Sequence, residues 1–337
     1  MPTVRSYNSF DLAKFIFSFA VVAIHTRPLI ACDNTYILAV YNGLVFLAVP
    51  FFFVTSGYLL ASKFTQPLYT PQNTQHIYKQ LKKISNMYLF WMLAYTPLAI
   101  GHFILTNTSP AHAFLSYIHG FIFMGEQYNS WPLWYLLGTV YALVVIVLTF
   151  KLRFSASKLI IIWLSITAFS ITLDFIPTHT FAYPLYQTIQ LLIKYTTSTG
   201  RIFQGMIYIP IGMALYYKTM PKYISYMLFF GAGFLLIIYQ NNIVLSDCFR
   251  IATATGLFGL IKNIRLKDRS CWLFMRKSSL LIYLLHMYIW TFYYTLVYGQ
   301  KQYGVDSFLA TGVLSFFTAG LWIYFTSARS RSKLPLN

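Results

Sequence analysis

The chain has 337 residues, of which 58% are apolar, 20% aromatic and only 9% charged, with a formal net charge of +18. No water-soluble domain keeps so apolar a surface wet, so the composition excludes one and points to a bilayer. The basic excess sits in short loops between apolar runs, which is a topology signal rather than a phosphate-binding face, and no nucleic-acid partner is expected.

A helix needs about 20 apolar residues to cross the hydrocarbon core. On that rule the chain reads as an all-α polytopic membrane protein with about ten transmembrane helices. They fall near 10–30, 36–61, 84–105, 131–150, 157–176, 202–217, 223–240, 243–261, 278–298 and 307–326. The first run follows a short polar N-terminus with Arg5 and lacks a small-residue cleavage site, so it reads as a retained span rather than a signal peptide. Two aromatic, moderately apolar stretches, 106–130 and 181–195, read as interfacial or re-entrant segments and leave the count open by two. No internal repeat, P-loop or G-x-G-x-x-G turn interrupts the pattern. The expectation is one membrane domain over 1–337.

Basic residues orient the spans. Arg5 precedes the first; Lys63, Lys79, Lys82 and Lys83 follow the second; Lys151, Arg153 and Lys158 follow the fourth; Lys218 and Lys222 follow the sixth. Lys262, Arg265, Lys267, Arg269, Arg276 and Lys277 follow the eighth, and Arg329, Arg331 and Lys333 follow the last. The other side has only Arg27, Lys194, Arg201 and Lys301. Both termini are therefore expected in the cytoplasm, with an even number of spans. Of the three cysteines, Cys32 falls outside, Cys248 in the membrane and Cys271 inside. Neither a disulfide framework nor a metal site is implied.

Ionisable groups within the spans are the functional candidates, because burying charge in lipid is costly. Lys14 and His25 are eleven residues apart, roughly 20° beyond three full turns, so they share one helix face about 16 Å apart along the axis. Lys14, near the cytoplasmic end, either snorkels to the interface or faces a substrate. His25, near the outer end, is either an interfacial histidine or a general base. Arg250 with Asp247 three residues earlier reads as an ion pair or a substrate contact. His286, in the penultimate span, bonds across helices or takes part in the chemistry. Ser56-Gly57 reads as a close-packing site. In the outer 106–130 segment Glu126, His112 and His119 are candidates to bind an acceptor, and Trp134 near Trp131 and Tyr135 is an interface anchor or a sugar platform.

Four ordered blocks resemble the acyltransferase 3 family of integral membrane acyltransferases. They are Phe10-Asp11-Leu12-Ala13-Lys14 with Val21-Val22-Ala23-Ile24-His25, Val49-Pro50-Phe51-Phe52-Phe53 with Ser56-Gly57-Tyr58, Trp131-Pro132-Leu133-Trp134-Tyr135, and Ser279 through Ile282-Tyr283-Leu284-Leu285-His286. Lys14 stands where that family usually has Arg, which reduces a bidentate contact to a single point. In Thr199-Gly200-Arg201-Ile202-Phe203 the arginine is displaced by two positions from the family pattern, and no role is carried to Arg201.

The resemblance implies transfer of an acyl group, commonly acetyl from acetyl-CoA, to a hydroxyl of an envelope carbohydrate or lipid-linked sugar at a bacterial inner membrane. It implies catalytic His25 and Lys14; beside it, Arg250, Glu126, His286 and Trp134 are the candidate substrate contacts, and the charge of Lys79, Lys82 and Lys83 would attract the acyl-CoA phosphates. No bound cofactor is expected; acetyl-CoA is the co-substrate and oligomeric state is left open. The same signature resembles the membrane half of vancomycin-resistance serine racemases, which implies L-serine transport as the alternative. No racemase-like segment follows the last span before Asn337, and this weighs towards acyl transfer.

Overall fold

A computed structural model describes residues 7–179, 183–196 and 200–331. Arg5, Thr199, Lys333 and the side chains of Lys194, Arg329 and Arg331 lie outside the described residues. Among the described residues the chain is helical, without strands. In order come α1 (Asn8–Thr26), α2 (Thr35–Val45), α3 (Ala48–Ala61), α4 (Pro71–Leu105), α5 (Pro110–His119), α6 (Trp134–Lys151) and α7 (Ala156–Phe175). Then follow α8 (Pro184–Tyr195), α9 (Gln204–Tyr217), α10 (Lys222–Tyr226), α11 (Gly233–Ile238), α12 (Ile243–Asn263), α13 (Cys271–Tyr298) and α14 (Val305–Arg331).

Eight helical segments among the described residues are long and apolar enough to cross a membrane. They carry Leu93, Leu105, Leu164 and Phe317 exposed, a surface suited to acyl chains. The expected sixth and seventh spans are present as shorter helical segments: α9 has 14 residues, and Lys222–Ile238 continues from α10 through a π-helical turn into α11. The segment at 106–130 forms α5 and the π-helical turn Gly120–Met124, and most of 181–195 forms α8.

Boundaries follow local chemistry. α1 stops at Thr26, four residues before the expected end, because Arg27 turns left-handed at φ 47° and Pro28 follows it. The third span begins thirteen residues earlier than hydropathy indicates. Thr70 caps the Asn73 amide and Pro71 occupies the first turn, so the helix starts in polar sequence and runs 35 residues. At about 52 Å it exceeds a roughly 30 Å hydrocarbon core.

The chain divides into two compact units, Met1–Val49 with Phe258–Asn337, and Pro50–Leu257. In the first, Val22 of α1, Ile282 of α13 and Ala319 of α14 pack together, ringed by Phe15, Phe19, Leu281, Phe308 and Phe316. In the second, small residues let helices touch backbone to backbone. A Cβ on Gly57 would strike the Ile209 carbonyl, and one on Gly212 the Val54 carbonyl, so α3 and α9 fit only with glycine at both places. Gly205 approaches the Gly138 carbonyl in the same way, joining α9 to α6. The Trp163 indole on α7 donates to the Ile207 carbonyl at 2.9 Å.

Candidate functional site

The first unit carries polar groups at both ends of α1. At the end the charge pattern places in the cytoplasm, Asp11 is buried and receives two bonds from Arg276, Nε to Oδ1 at 2.8 Å and Nη2 to Oδ2 at 2.6 Å. Asn8 donates to Asp268 at 2.6 Å, fixing the start of α1 to the 264–270 loop. Lys14 lies one turn beyond Asp11, half-buried and within electrostatic reach of Asp11 and Arg276. One acid and two bases leave this group a net cation.

His25 occupies the last turn of α1, also half-buried. Its surroundings are tied down. The Arg27 amide closes the helix on the Ala23 carbonyl at 2.9 Å, the Tyr41 hydroxyl donates to the same carbonyl at 3.2 Å, and the Gly304 amide donates to the Thr26 carbonyl at 2.9 Å. The Arg27 guanidinium lies over the Tyr303 ring, 5.1 Å from its centroid. Across from His25 is His286, fully buried on α13, with ring centroids 5.4 Å apart and planes tilted by 33°. Two residues 261 positions apart, each singled out by sequence alone, thus meet.

The second unit gathers a different set. Glu126 follows Gly125, whose φ of 70° and contact with the Trp134 backbone require glycine. Arg201 Nη2 donates to Glu126 Oε2 at 2.5 Å, and the same guanidinium lies over the Trp134 ring at 5.1 Å. Burial pushes the Glu126 carboxyl above its ordinary range, and Arg201 draws it back towards the ionised form. Arg201 is itself placed from behind. The Gly200 amide donates to Asp174 at 2.9 Å and Ser170 Oγ donates to the Gly200 carbonyl at 3.0 Å. The outer segment is anchored too, since the Tyr88 hydroxyl donates to the Phe121 carbonyl and Gln127 Nε2 to the Tyr117 carbonyl.

Sequence reasoning set Arg201 aside; the structure makes it the centre of this cluster. Asp174 and the Asp11–Arg276 pair were likewise missed as contacts. The available signal is charge inside or beside a span, but the loop pattern alone makes Arg276 a topogenic residue. Trp134 is buried beneath Arg201, so its ring serves as a platform for that guanidinium. Arg250 pairs with Asp247 at 2.6 Å on one face of α12. Lys79, Lys82 and Lys83 are exposed on the polar first third of α4, at the i, i+3, i+4 spacing of one helix face. His112 is exposed, and His119 bonds the Thr196 carbonyl at 2.5 Å. Among the described residues no group of three or more His, Cys, Asp or Glu side chains is arranged to hold a metal ion.

An imidazole pair between two apolar helices, one ring half-buried and the other buried, with cations at the other end of α1, suits proton transfer coupled to the handling of an anionic substrate. Among similar proteins are two amino-acid racemases from Enterococcus faecalis. One is 31% identical over 153 residues, 42% of this chain and 20% of the relative, and the other 34% identical over 129 residues, 37% and 17% respectively. The chain covers a fifth or less of these relatives' own length. No solved structure matches it. The acyltransferase 3 model, described as an acyltransferase domain, matches residues 7–327, and the chain is accordingly a member of that family of membrane acyltransferases.

Proposed function

We propose that this membrane acyltransferase moves an acyl group, acetyl in the simplest case, from cytoplasmic acyl-CoA to a hydroxyl of an envelope carbohydrate or lipid-linked sugar at a bacterial inner membrane. The observation that carries the reading is the His25–His286 pair at the outer end of α1, about 16 Å from Lys14 and the Asp11–Arg276 group at the other. His25 takes the proton of the acceptor hydroxyl as its oxygen attacks the thioester carbonyl. The C–O bond forms, the C–S bond breaks, and the proton passes from His25 to the CoA sulfur. Lys79, Lys82 and Lys83 draw in the nucleotide phosphates. Glu126, held by Arg201, offers a carboxylate edge to sugar hydroxyls, and Arg250 adds a polar contact.

The test is mild-alkali release of ester-linked acyl groups from surface glycans of a deletion strain carrying wild type or His25→Ala at equal membrane levels. Wild type restores the released acid, whose mass names the donor, and His25→Ala does not. Full restoration by His25→Ala sinks the catalytic assignment. The partial similarity to amino-acid racemases favours a second reading, carriage of a small amino acid such as L-serine. It gains if neither protein restores an ester and labelled L-serine uptake follows the wild-type gene.

A further inference from the structure

His286 is fully buried, and only one of its ring nitrogens is engaged. Nδ1 lies 3.0 Å from the Ile282 carbonyl oxygen one turn back, while Nε2 has no hydrogen-bond partner. A carbonyl only accepts, so Nδ1 carries the proton. A charged imidazolium in this apolar interior would be costly, so the ring is neutral and Nε2 presents a lone pair. A buried acceptor without a donor is costly and calls for an explanation.

Its surroundings supply one. Val22, Ile282 and Ala319 form an apolar layer between α1, α13 and α14. One turn outward on each helix come His25, His286 and Ser315. Two imidazoles meeting nitrogen to nitrogen at hydrogen-bond distance have centroids about 5.2 Å apart. The observed separation is 5.4 Å, which leaves such a bond within reach once the facing nitrogens are turned towards each other.

Building on the His25 reading above, we propose that His286 is a positioning residue whose Nε2 accepts a hydrogen bond from the ring N–H of His25 in the reacting complex. The bond fixes which His25 nitrogen turns its lone pair to the acceptor hydroxyl. It also leaves a neutral acceptor beside the imidazolium formed when His25 takes that proton. His25 keeps its original proton towards His286 throughout, passes the received one to the CoA sulfur, and His286 ends unchanged. The arrangement performs the orienting task that a carboxylate performs in hydrolytic triads, without placing another charge in the membrane.

The test separates the two nitrogens. His286→Asn keeps a donor for the Ile282 carbonyl and removes the group at the Nε2 position, whereas His286→Gln sets an amide oxygen there. Membrane vesicles containing the full chain and native envelope acceptors are assayed for CoA thiol released from acetyl-CoA, normalised to protein. Expected is a loss of about tenfold or more in maximal rate for His286→Asn, with unchanged apparent KM for acetyl-CoA, while His286→Gln stays within about threefold of wild type. Solid-state NMR of [15N]histidine-labelled protein in lipid then shows one His25 tautomer in wild type and His286→Gln, and a mixture in His286→Asn.

Equal loss in both variants, no loss in either, or an unaltered His25 spectrum in His286→Asn overturns the proposal. So does Ser315→Ala if it reproduces the asparagine phenotype, because the donor to Nε2 is then that hydroxyl. If wild-type vesicles release no more CoA than empty-vector vesicles, the acyl-transfer reading fails instead, and the NMR spectra alone decide the role of His286.

Discussion

Asp11 joins the two ends of the first unit's sequence, since its carboxylate and Arg276 are 265 positions apart and meet in a two-point bond. Only the carboxylate is buried; the Arg276 side chain keeps 56% of its surface exposed. Solvent therefore discounts the pair below a fully buried one. Asp11→Asn is expected to lower stability by about 1–2 kcal/mol, read as a fall in the unfolding midpoint of the purified protein in detergent. Arg276→Lys, which keeps charge but loses the fork, should give roughly half that effect. An unchanged midpoint for Asp11→Asn would show the pair to be structurally idle. His25 and Lys14 stood out in the sequence because lipid makes any ionisable group conspicuous. The grip of Glu126 on Arg201 did not, because it joins residues 75 positions apart and no helical period encodes such a contact.

At the scale of elements, glycine separates packing from propensity. Gly57 sits where any Cβ meets the Ile209 backbone carbonyl, an atom that cannot swing aside as a side-chain tip does. Gly101, inside α4, has nothing within 4 Å of its would-be Cβ. Gly57→Ala should therefore destabilise by about 1–3 kcal/mol through overpacking of α3 on α9. Gly101→Ala should stabilise by up to about 1 kcal/mol through helix propensity alone. Thermal unfolding of the two variants side by side checks both signs, and a stabilising Gly57→Ala would refute the close approach. The close-packing role expected at Ser56-Gly57 is what the backbones display, because small residues announce themselves in apolar runs. The early start of α4 was written as plainly, in Thr70 and Pro71, yet an apolar window passes over a helix that begins in polar sequence.

Across the whole molecule, charge decides which face meets which substrate, and the acyl-transfer reading needs His25 outside and the Lys79–Lys83 face inside. Sequence made the helical class legible because it is a property of single spans. The side-chain clusters were not, being set by which helices pack together. The cysteines test the orientation without altering the chain. Cys32, in the turn between α1 and α2, is partly accessible, and so is Cys271 at the start of α13. α13 spans 28 residues, about 42 Å, so its first turn projects beyond a roughly 30 Å core. Cys248 is exposed on α12, a helix long and apolar enough to span the membrane, and a charged reagent does not enter the hydrocarbon around such a span. A membrane-impermeant maleimide is therefore expected to label Cys32 in whole cells and to reach Cys271 only after the membrane is breached, leaving Cys248 unmodified in both. Labelling of Cys271 before Cys32 would invert the protein, carry the histidine pair to the cytoplasmic side, and end the case for an acceptor approaching from outside.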